Sequence, residues 1–179
     1  MSGMIICGYP GIGKSSIAGW NNCIDFDSST FTENNKRQVK SDGKWIWETR
    51  PDWYRPYCMA AMKLARQGYT VMISTHSDVI SYFKFLKDTG WNTVPVVICY
   101  PQTSLQEAWA EKVFNRYRED PLPKNKRAYE RVRDHFDDIL KLEESGLPTA
   151  PITTMEYDFK EMVELMQKAY CFDIGGVKT

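Results

Sequence analysis

The sequence contains no apolar run near the roughly 18 to 20 residues that a membrane-spanning helix requires. Its first residues also lack the charged and apolar regions of a secretory signal peptide. These absences remove the usual sequence signs of membrane insertion and of secretion. We therefore expect a soluble, cytoplasmic protein without a membrane partner.

Cysteine is scarce and irregularly placed, with five residues at positions 7, 23, 58, 99 and 171 and no C-x-x-C pair. An odd number without close pairs disfavours both a disulfide framework and a cysteine-based zinc site. We therefore expect reduced thiols.

An excess of charge of either sign is also absent, because 23 Lys and Arg offset 23 Asp and Glu. A neutral chain has no global field that attracts nucleic acid or anionic lipid, so any recognition of phosphate must be local. The balance argues mildly against long nucleic acid as a substrate without excluding it.

The chain has 179 residues, no internal repeat and no low-complexity linker, which indicates a single domain over residues 1–179. Apolar stretches predict five strands, at residues 4–8, 23–27, 69–75, 94–100 and 150–155. Helical spacing predicts four main helices, at residues 52–68, 77–90, 104–119 and 127–146. Alternation of strands and helices is typical of an α/β fold with a parallel sheet and right-handed crossovers.

A glycine-rich run, CGYPGIGKSS, directly follows the first predicted strand. Gly8, Gly13, Lys14 and Ser15 fit the Walker A spacing G-x-x-x-x-G-K-S, and the run leads into a predicted helix at residues 14–20. Glycines let backbone N–H groups approach phosphate oxygens, and a helix N-terminus adds partial positive charge. In this motif the lysine binds the β- and γ-phosphates and the serine hydroxyl binds Mg²⁺.

The motif predicts binding of a nucleoside triphosphate with Mg²⁺. We take ATP as the donor, although the sequence does not separate ATP from GTP. The predicted triphosphate-binding residues form the loop and the turn after it: Gly8, Gly11, Ile12, Gly13, Lys14, Ser15 and Ser16. The predicted fold is accordingly a three-layer P-loop fold whose five parallel strands, numbered in chain order, are arranged 2-3-1-4-5.

Motor and switch ATPases usually place a Walker B aspartate at a strand end, but the third predicted strand ends in IST with no acid. Two acids instead follow the P-loop, in CIDFDSS, where strand alternation puts Asp25 and Asp27 on one face. This order of motifs, with VVICYP and a basic helical segment after it, resembles the P-loop kinases of nucleotides and small molecules. That group includes nucleoside monophosphate, shikimate, gluconate and 5′-polynucleotide kinases.

The resemblance implies roles for the two acids, which in such kinases order Mg²⁺ or accept the proton of the attacking hydroxyl. Asp25 is the predicted metal-binding acid beside Ser15, and Asp27 shares the predicted catalytic position with it. The alternative is that both residues cap the turn that follows.

A basic segment between two predicted helices looks like a kinase lid, at about residues 116–131. A lid excludes water and brings positive charge to the transferred phosphoryl group. Arginine suits this task because its planar guanidinium binds two oxygens, and Arg116, Arg127 and Arg131 are the candidates. A solvated charged face on two helices is the alternative.

The polar stretch at about residues 28–57 is predicted to bind the acceptor. Its Trp45, Trp47 and Trp53 are suited to stacking on a base, and SDGKW suggests a hairpin turn. Arg50 and Arg55 are candidates for holding an acceptor phosphate. Ordinary core packing of the aromatic residues is the alternative.

His76 follows the third predicted strand, at the sheet edge where α/β proteins bind ligands. It is a further candidate for acceptor binding, with a purely structural position as the alternative.

Three functions remain open from the sequence. The first is an ATP-dependent kinase of a small-molecule acceptor, with a nucleoside or deoxynucleoside monophosphate ahead of a 5′-hydroxyl polynucleotide or another small molecule. The second is an ATP-binding regulator or ATPase without an acceptor, and the third is a degenerate binding module. The complete Walker A motif argues against the third.

Overall fold

The computed structural model describes residues 3–34 and 36–171. Its seven strands are β1 Met4–Gly8, β2 Cys23–Asp25, β3 Lys36–Ser41, β4 Lys44–Thr49, β5 Thr70–Ser74, β6 Val96–Pro101 and β7 Thr149–Ile152. Its seven α-helices are α1 Ser29–Asn34, α2 Tyr54–Arg66, α3 Ser77–Asp88, α4 Gln106–Glu119, α5 Pro123–Asp134, α6 Asp138–Glu143 and α7 Phe159–Cys171. Short 3₁₀ turns span Lys14–Ser16 and Thr103–Leu105.

Five strands form one parallel sheet in the order β2-β5-β1-β6-β7. This is the predicted order, with the P-loop strand β1 in the centre. All residues of β1 and β6 are buried, so helices must cover both faces of the sheet. The α/β class and the three-layer arrangement are therefore confirmed.

The two remaining strands, β3 and β4, pair antiparallel as a separate hairpin. Its turn is Asp42–Gly43, both with positive φ (48° and 76°), as a tight two-residue turn requires. The hairpin and α1 occupy most of the segment predicted to bind the acceptor.

The prediction of one continuous helix over residues 127–146 is wrong. The chain instead forms α5, which starts earlier at Pro123, and α6, with a break at His135–Asp137. Val132, Phe136 and Ile139 are all buried, so the apolar spacing continues across the break and conceals it in the sequence.

Among the described residues, every helix is too short or too polar to cross a membrane. Four cysteines, Cys7, Cys23, Cys58 and Cys99, are buried free thiols. The side chain of Cys171 lies outside the described part of the chain.

Candidate functional site

The P-loop leaves β1 in a conformation that depends on glycine. Gly11 and Gly13 have φ values of 89° and 104°, which L-residues rarely adopt. A Cβ atom on Gly8 would lie 2.4 Å from Ile12 Cδ1 and 2.9 Å from Lys14 Cδ. The glycines therefore allow the loop to close tightly over the lysine side chain.

The predicted helix at residues 14–20 is absent, and one 3₁₀ turn over Lys14–Ser16 takes its place. The chain then turns away through Gly19, Asn21 and Asn22, all with positive φ. Serine and glycine have low helix propensity because serine competes for backbone hydrogen bonds and glycine loses more entropy. A single turn carries no helix macrodipole, so the expected contribution of a helix N-terminus to the positive charge of this site is absent.

Two aromatic side chains from distant elements support the loop. Trp109 Nε1 of α4 donates to the Pro10 carbonyl (2.8 Å), and Tyr157 Oη donates to the Ile12 carbonyl (3.0 Å). The two rings stack with centroids 5.8 Å apart. The loop is therefore held by α4 and by the segment between β7 and α7.

Lys14 lies within the loop and is half-buried. Its Nζ donates to the Gly8 carbonyl (2.8 Å) and lies 3.4 Å from the Tyr9 carbonyl. Burial lowers the pKa of Lys14 to about 8, with Arg131 and Arg116 lowering it further and Asp25 raising it. Bound phosphate oxygens would favour the charged form of Lys14, and they would accept its hydrogen bonds in place of the Gly8 and Tyr9 carbonyls.

Ser15 and Asp25 form a direct pair, in which Ser15 Oγ donates to Asp25 Oδ2 (2.7 Å). A hydroxyl and a carboxylate are hard oxygen ligands of the kind Mg²⁺ prefers, usually together with phosphate and water. Within residues 3–34 and 36–171, no group of three or more His, Cys, Asp or Glu could hold a metal unaided. The pair therefore fits a magnesium ion that arrives with a triphosphate.

Asp27 lies beyond the end of β2, which stops at Asp25 rather than at the predicted residue 27. Its Oδ1 accepts from the Ser29 N–H (2.8 Å), as the capping alternative expects. Oδ2 takes no part in that bond, and Asp27 lines a cavity together with Asp25.

This central cavity, of about 190 Å³, lies between the P-loop, the end of β2 and the helices α4 and α5. Its charged lining consists of Lys14, Asp25, Asp27, Arg116 and Lys124. Tyr57 and Ser74 form its floor, where Tyr57 Oη donates to the Phe26 carbonyl (2.6 Å) and accepts from the Ser74 N–H (3.2 Å). That tyrosine fixes the ends of β2 and β5 relative to each other.

A larger side cavity, of about 560 Å³, lies on the other side of the P-loop, lined in part by Ile12, Lys112, Arg116, Tyr157 and Asp158. It shares Gly11, Gly13 and Arg116 with the central cavity. Sequence reasoning assigned no site function to Lys112, Tyr157 or Asp158. No local motif marks these residues, because only the fold brings the β7–α7 connection to the loop.

Lys112 is a half-buried cation that lines the side cavity. Its Nζ donates to Tyr157 Oη (2.7 Å) and lies 4.4 Å from the centre of the Trp109 ring. Burial lowers its pKa.

The three predicted lid arginines occupy different environments. Both Arg116 and Arg127 are exposed, but Arg116 lines both cavities whereas Arg127 lines neither. Arg131 donates to the Thr75 carbonyl (2.8 Å) and lies 5.3 Å from the centre of the Tyr9 ring. Only Arg116 lines the central cavity, although the charge of Arg131 reaches Lys14.

None of the four residues predicted to bind an acceptor lines the central cavity, although two of them, Trp53 and His76, are in contact. Arg50 is exposed, and Arg55 lines a separate surface depression beside Tyr82. Trp53 is 7% exposed and packs edge-on against His76, with ring centroids 5.2 Å apart.

His76 caps α3, since its Nδ1 accepts from the Asp78 N–H (3.3 Å). Burial lowers its pKa, against the opposing effect of Asp78, and the unprotonated nitrogen needed for this bond is thereby favoured. Trp45 and Trp47 are exposed on the hairpin.

No protein-family model and no curated protein sequence matches the chain. Among solved structures, a tunicamycin resistance protein of Deinococcus radiodurans is 15% identical, with a TM-score of 0.50 over 93% of this chain and 95% of that one. Deoxyadenosine kinase from M. mycoides with bound dCTP is 16% identical, with a TM-score of 0.35 over 93% of this chain and 98% of that one. At these identities the likeness concerns the fold alone, which the chain shares with the tunicamycin resistance protein.

Proposed function

We propose that this protein is a phosphotransferase that uses ATP and Mg²⁺ to phosphorylate an acceptor bound in the central cavity. The observation that carries the proposal is the Ser15–Asp25 hydrogen bond (2.7 Å) beside Lys14 in one cavity. A serine hydroxyl, a carboxylate and a lysine at the end of a P-loop strand are the groups that bind a metal–triphosphate complex.

The side cavity is the proposed site of the donor nucleoside. Its volume of about 560 Å³ is within the usual range for small-molecule sites. The triphosphate would pass along Gly11 and Gly13 to Lys14, because both glycines line both cavities. Arg116 also lines both cavities and is placed to contact the phosphates at the junction.

Two classes of acceptor follow from the sequence, a nucleoside monophosphate and a hydroxyl such as the 5′-hydroxyl of a polynucleotide. A specific observation favours the hydroxyl class. The two arginines predicted to bind an acceptor phosphate, Arg50 and Arg55, do not line the central cavity, whereas Asp27 does. A hydroxyl needs a proton acceptor, while an ionised phosphate does not.

In the proposed reaction the acceptor oxygen forms a bond to the γ-phosphorus as the bond to the β,γ-bridging oxygen breaks. Asp27 takes the hydroxyl proton, and ADP leaves. Lys14 and Arg116 hold the phosphate oxygens and offset the charge that spreads over them. Mg²⁺, when bound with the triphosphate, would neutralise part of that charge. Arg116 and Lys124, on α4 and α5, line the cavity on the side of the proposed lid.

The test is a screen of ATP consumption over nucleoside monophosphates, nucleosides, sugar acids and 5′-hydroxyl oligonucleotides, with an acceptor-free control. We expect ADP release that depends on one acceptor class and is lost in Lys14→Ala. Equal ADP release with and without every acceptor would indicate an ATPase. No release under any condition would contradict the proposal.

A further inference from the structure

The hairpin of β3 and β4 is a two-stranded ribbon beside the main sheet. Six residue pairs join its strands, from Lys36 opposite Thr49 to Ser41 opposite Lys44. Thr49 Oγ1 donates to the Thr32 carbonyl (3.5 Å) and so connects the ribbon to α1. A two-stranded ribbon is only marginally stable alone, so a long exposed ribbon is a candidate for a binding element.

One face of the ribbon carries two exposed tryptophans. Trp45 and Trp47 are 68% and 64% exposed and lie on the same side of β4 because strand side chains alternate. Their partners across the ribbon are Lys40 and Gln38. We call this surface the tryptophan face, and it comprises Lys36, Gln38, Lys40, Trp45, Trp47 and Thr49.

The ribbon is basic although the whole chain is neutral. Residues 36–50 contain five Lys or Arg and two acids. One acid, Glu48, is paired with Arg37 on the opposite face (2.6 Å), and the other, Asp42, lies in the turn. The tryptophan face therefore carries no carboxylate of its own strands.

Three of the five cations in residues 36–50, Lys40, Lys44 and Arg50, form no salt bridge with the described residues. Lys36, by contrast, pairs with Glu33 of α1. Exposed aromatic rings interleaved with unpaired cations are the combination that binds single-stranded nucleic acid.

We propose that the tryptophan face binds single-stranded nucleic acid. Trp45 and Trp47 are separated by about 7 Å along the strand, so each indole can stack on one of two neighbouring bases. Lys40 is on the same face and binds a backbone phosphate, while the Gln38 amide is available to base edges.

Single-stranded nucleic acid fits this face better than a duplex or a second copy of the chain. Stacking on an indole requires an exposed base face, which a duplex keeps covered. A two-fold dimer through the same face would bring the Lys36 and Lys40 pairs of both copies together.

The ribbon also lies close in sequence to the central cavity. It follows Asp27 through the short helix α1 and returns to Tyr57 in α2, and both residues line that cavity. A catalytic role for the bound nucleic acid rests on the proposed phosphoryl transfer. In that case the acceptor would be a hydroxyl group of a polynucleotide. Binding itself requires no transfer.

The test measures fluorescence anisotropy of a labelled oligothymidine of about 12 nucleotides, without ATP or Mg²⁺. We expect the double variant Trp45→Ala/Trp47→Ala to bind at least about 30-fold more weakly, since two stacking contacts are lost. Trp91→Ala is the matched control, because Trp91 is 74% exposed outside the ribbon, and it should bind like the wild type.

Two further variants separate the contribution of stacking to affinity from that of charge. Trp45→Phe keeps an aromatic ring and should retain most of the affinity lost in Trp45→Ala. Lys40→Gln should reduce the slope of log affinity against log salt by about 0.7, the value of one phosphate contact in a single strand.

Unchanged affinity in the double variant would overturn the inference. So would a duplex that binds as tightly as the single strand and whose affinity does not change in the double variant. A wild-type dimer that becomes a monomer in the double variant would show that a second copy covers the face. Oligonucleotide binding is measured without ATP or Mg²⁺ and ADP release is measured in the separate acceptor screen, so that a failure of phosphoryl transfer is distinguishable from a failure of binding.

Discussion

Ser15 Oγ donates a hydrogen bond to Asp25 Oδ2 (2.7 Å) and links the turn after the P-loop to the end of the neighbouring strand β2. In the proposed function this pair positions Mg²⁺. Asp25→Asn keeps an oxygen that accepts from Ser15 but removes the charge. We expect the Mg²⁺ concentration for half-maximal activity to rise by roughly 10- to 100-fold. Asp52→Asn, on the exposed segment before α2, is the control and should leave that concentration unchanged.

Lys14→Ala should preserve the fold and reduce turnover by about a hundredfold. The reason is the loss of a charge that contacts the phosphates in the transition state, a contribution of about 3 kcal/mol. Turnover and thermal midpoint should be measured together, with Lys84→Ala on the exposed side of α3 as a control. Wild-type turnover in Lys14→Ala would contradict the P-loop assignment.

The pKa of Lys14, lowered to about 8 by burial, predicts an unusual alkaline limit. Because an ordinary lysine stays charged to about pH 10, kcat/KM should fall above pH 8 as the free enzyme loses this proton. Asp25 raises the pKa of Lys14, so Asp25→Asn should move this alkaline limb of the pH profile, the fall in kcat/KM above pH 8, to lower pH. Lys14→Arg should remove the limb, whatever its effect on the maximal rate. A limb unchanged in both variants would assign the titration to another group.

Asp27→Asn separates the two acceptor classes. The variant retains an oxygen for the Ser29 N–H but loses the basic group, so the cap survives. With a hydroxyl acceptor, turnover should fall by roughly 10² to 10⁴ while ATP affinity changes little. With a monophosphate acceptor, the loss should be small. If both Asp27→Asn and Asp25→Asn kept full activity on the best acceptor, the catalytic assignment would be wrong and both residues would only cap the turn that follows.

Arg116 and Arg127 form a matched pair of lid arginines in different environments. Arg116 lines both cavities, so Arg116→Ala should lower turnover by roughly 10² through loss of a phosphate contact. Arg127 is exposed on α5, and the prediction that it is catalytic requires the lid to move. A similar loss in Arg127→Ala would demonstrate closure, whereas wild-type kinetics would assign Arg127 to the solvated face of the helix.

The sheet was predictable because its signals are local and strong. Continuous Val and Ile runs in β5 and β6, and the motif after β1, predicted both the strands and their order. The break between α5 and α6 was not predictable from apolar spacing, since Phe136 and Ile139 are buried on either side of residue 137. The helix expected after the P-loop failed because positive-φ residues such as Gly19 turn the chain away.

The candidate site was predictable only where its residues form a motif. Lys14, Ser15 and Asp25 follow from short-range patterns, and the structure brings them together. Lys112 and Tyr157 lie 45 residues apart, and their contact depends on the whole fold. Arg50 and Arg55 are correct in residue type for phosphate binding, but sequence spacing cannot show that neither lines the central cavity.

Trp109 and Tyr157, which support the P-loop, also determine when the proposed nucleotide site can form during folding. Trp109 and Tyr157 donate to the carbonyls of Pro10 and Ile12, which lie 99 and 145 residues earlier in the chain. Contacts of such long range close late, because the intervening chain must first lose its entropy. During synthesis the motif emerges before Trp109 and Tyr157, yet its loop is without these hydrogen bonds until the segment before α7 docks. A chain that ends before Tyr157 would therefore carry an intact Walker A sequence over an incomplete phosphate-binding loop.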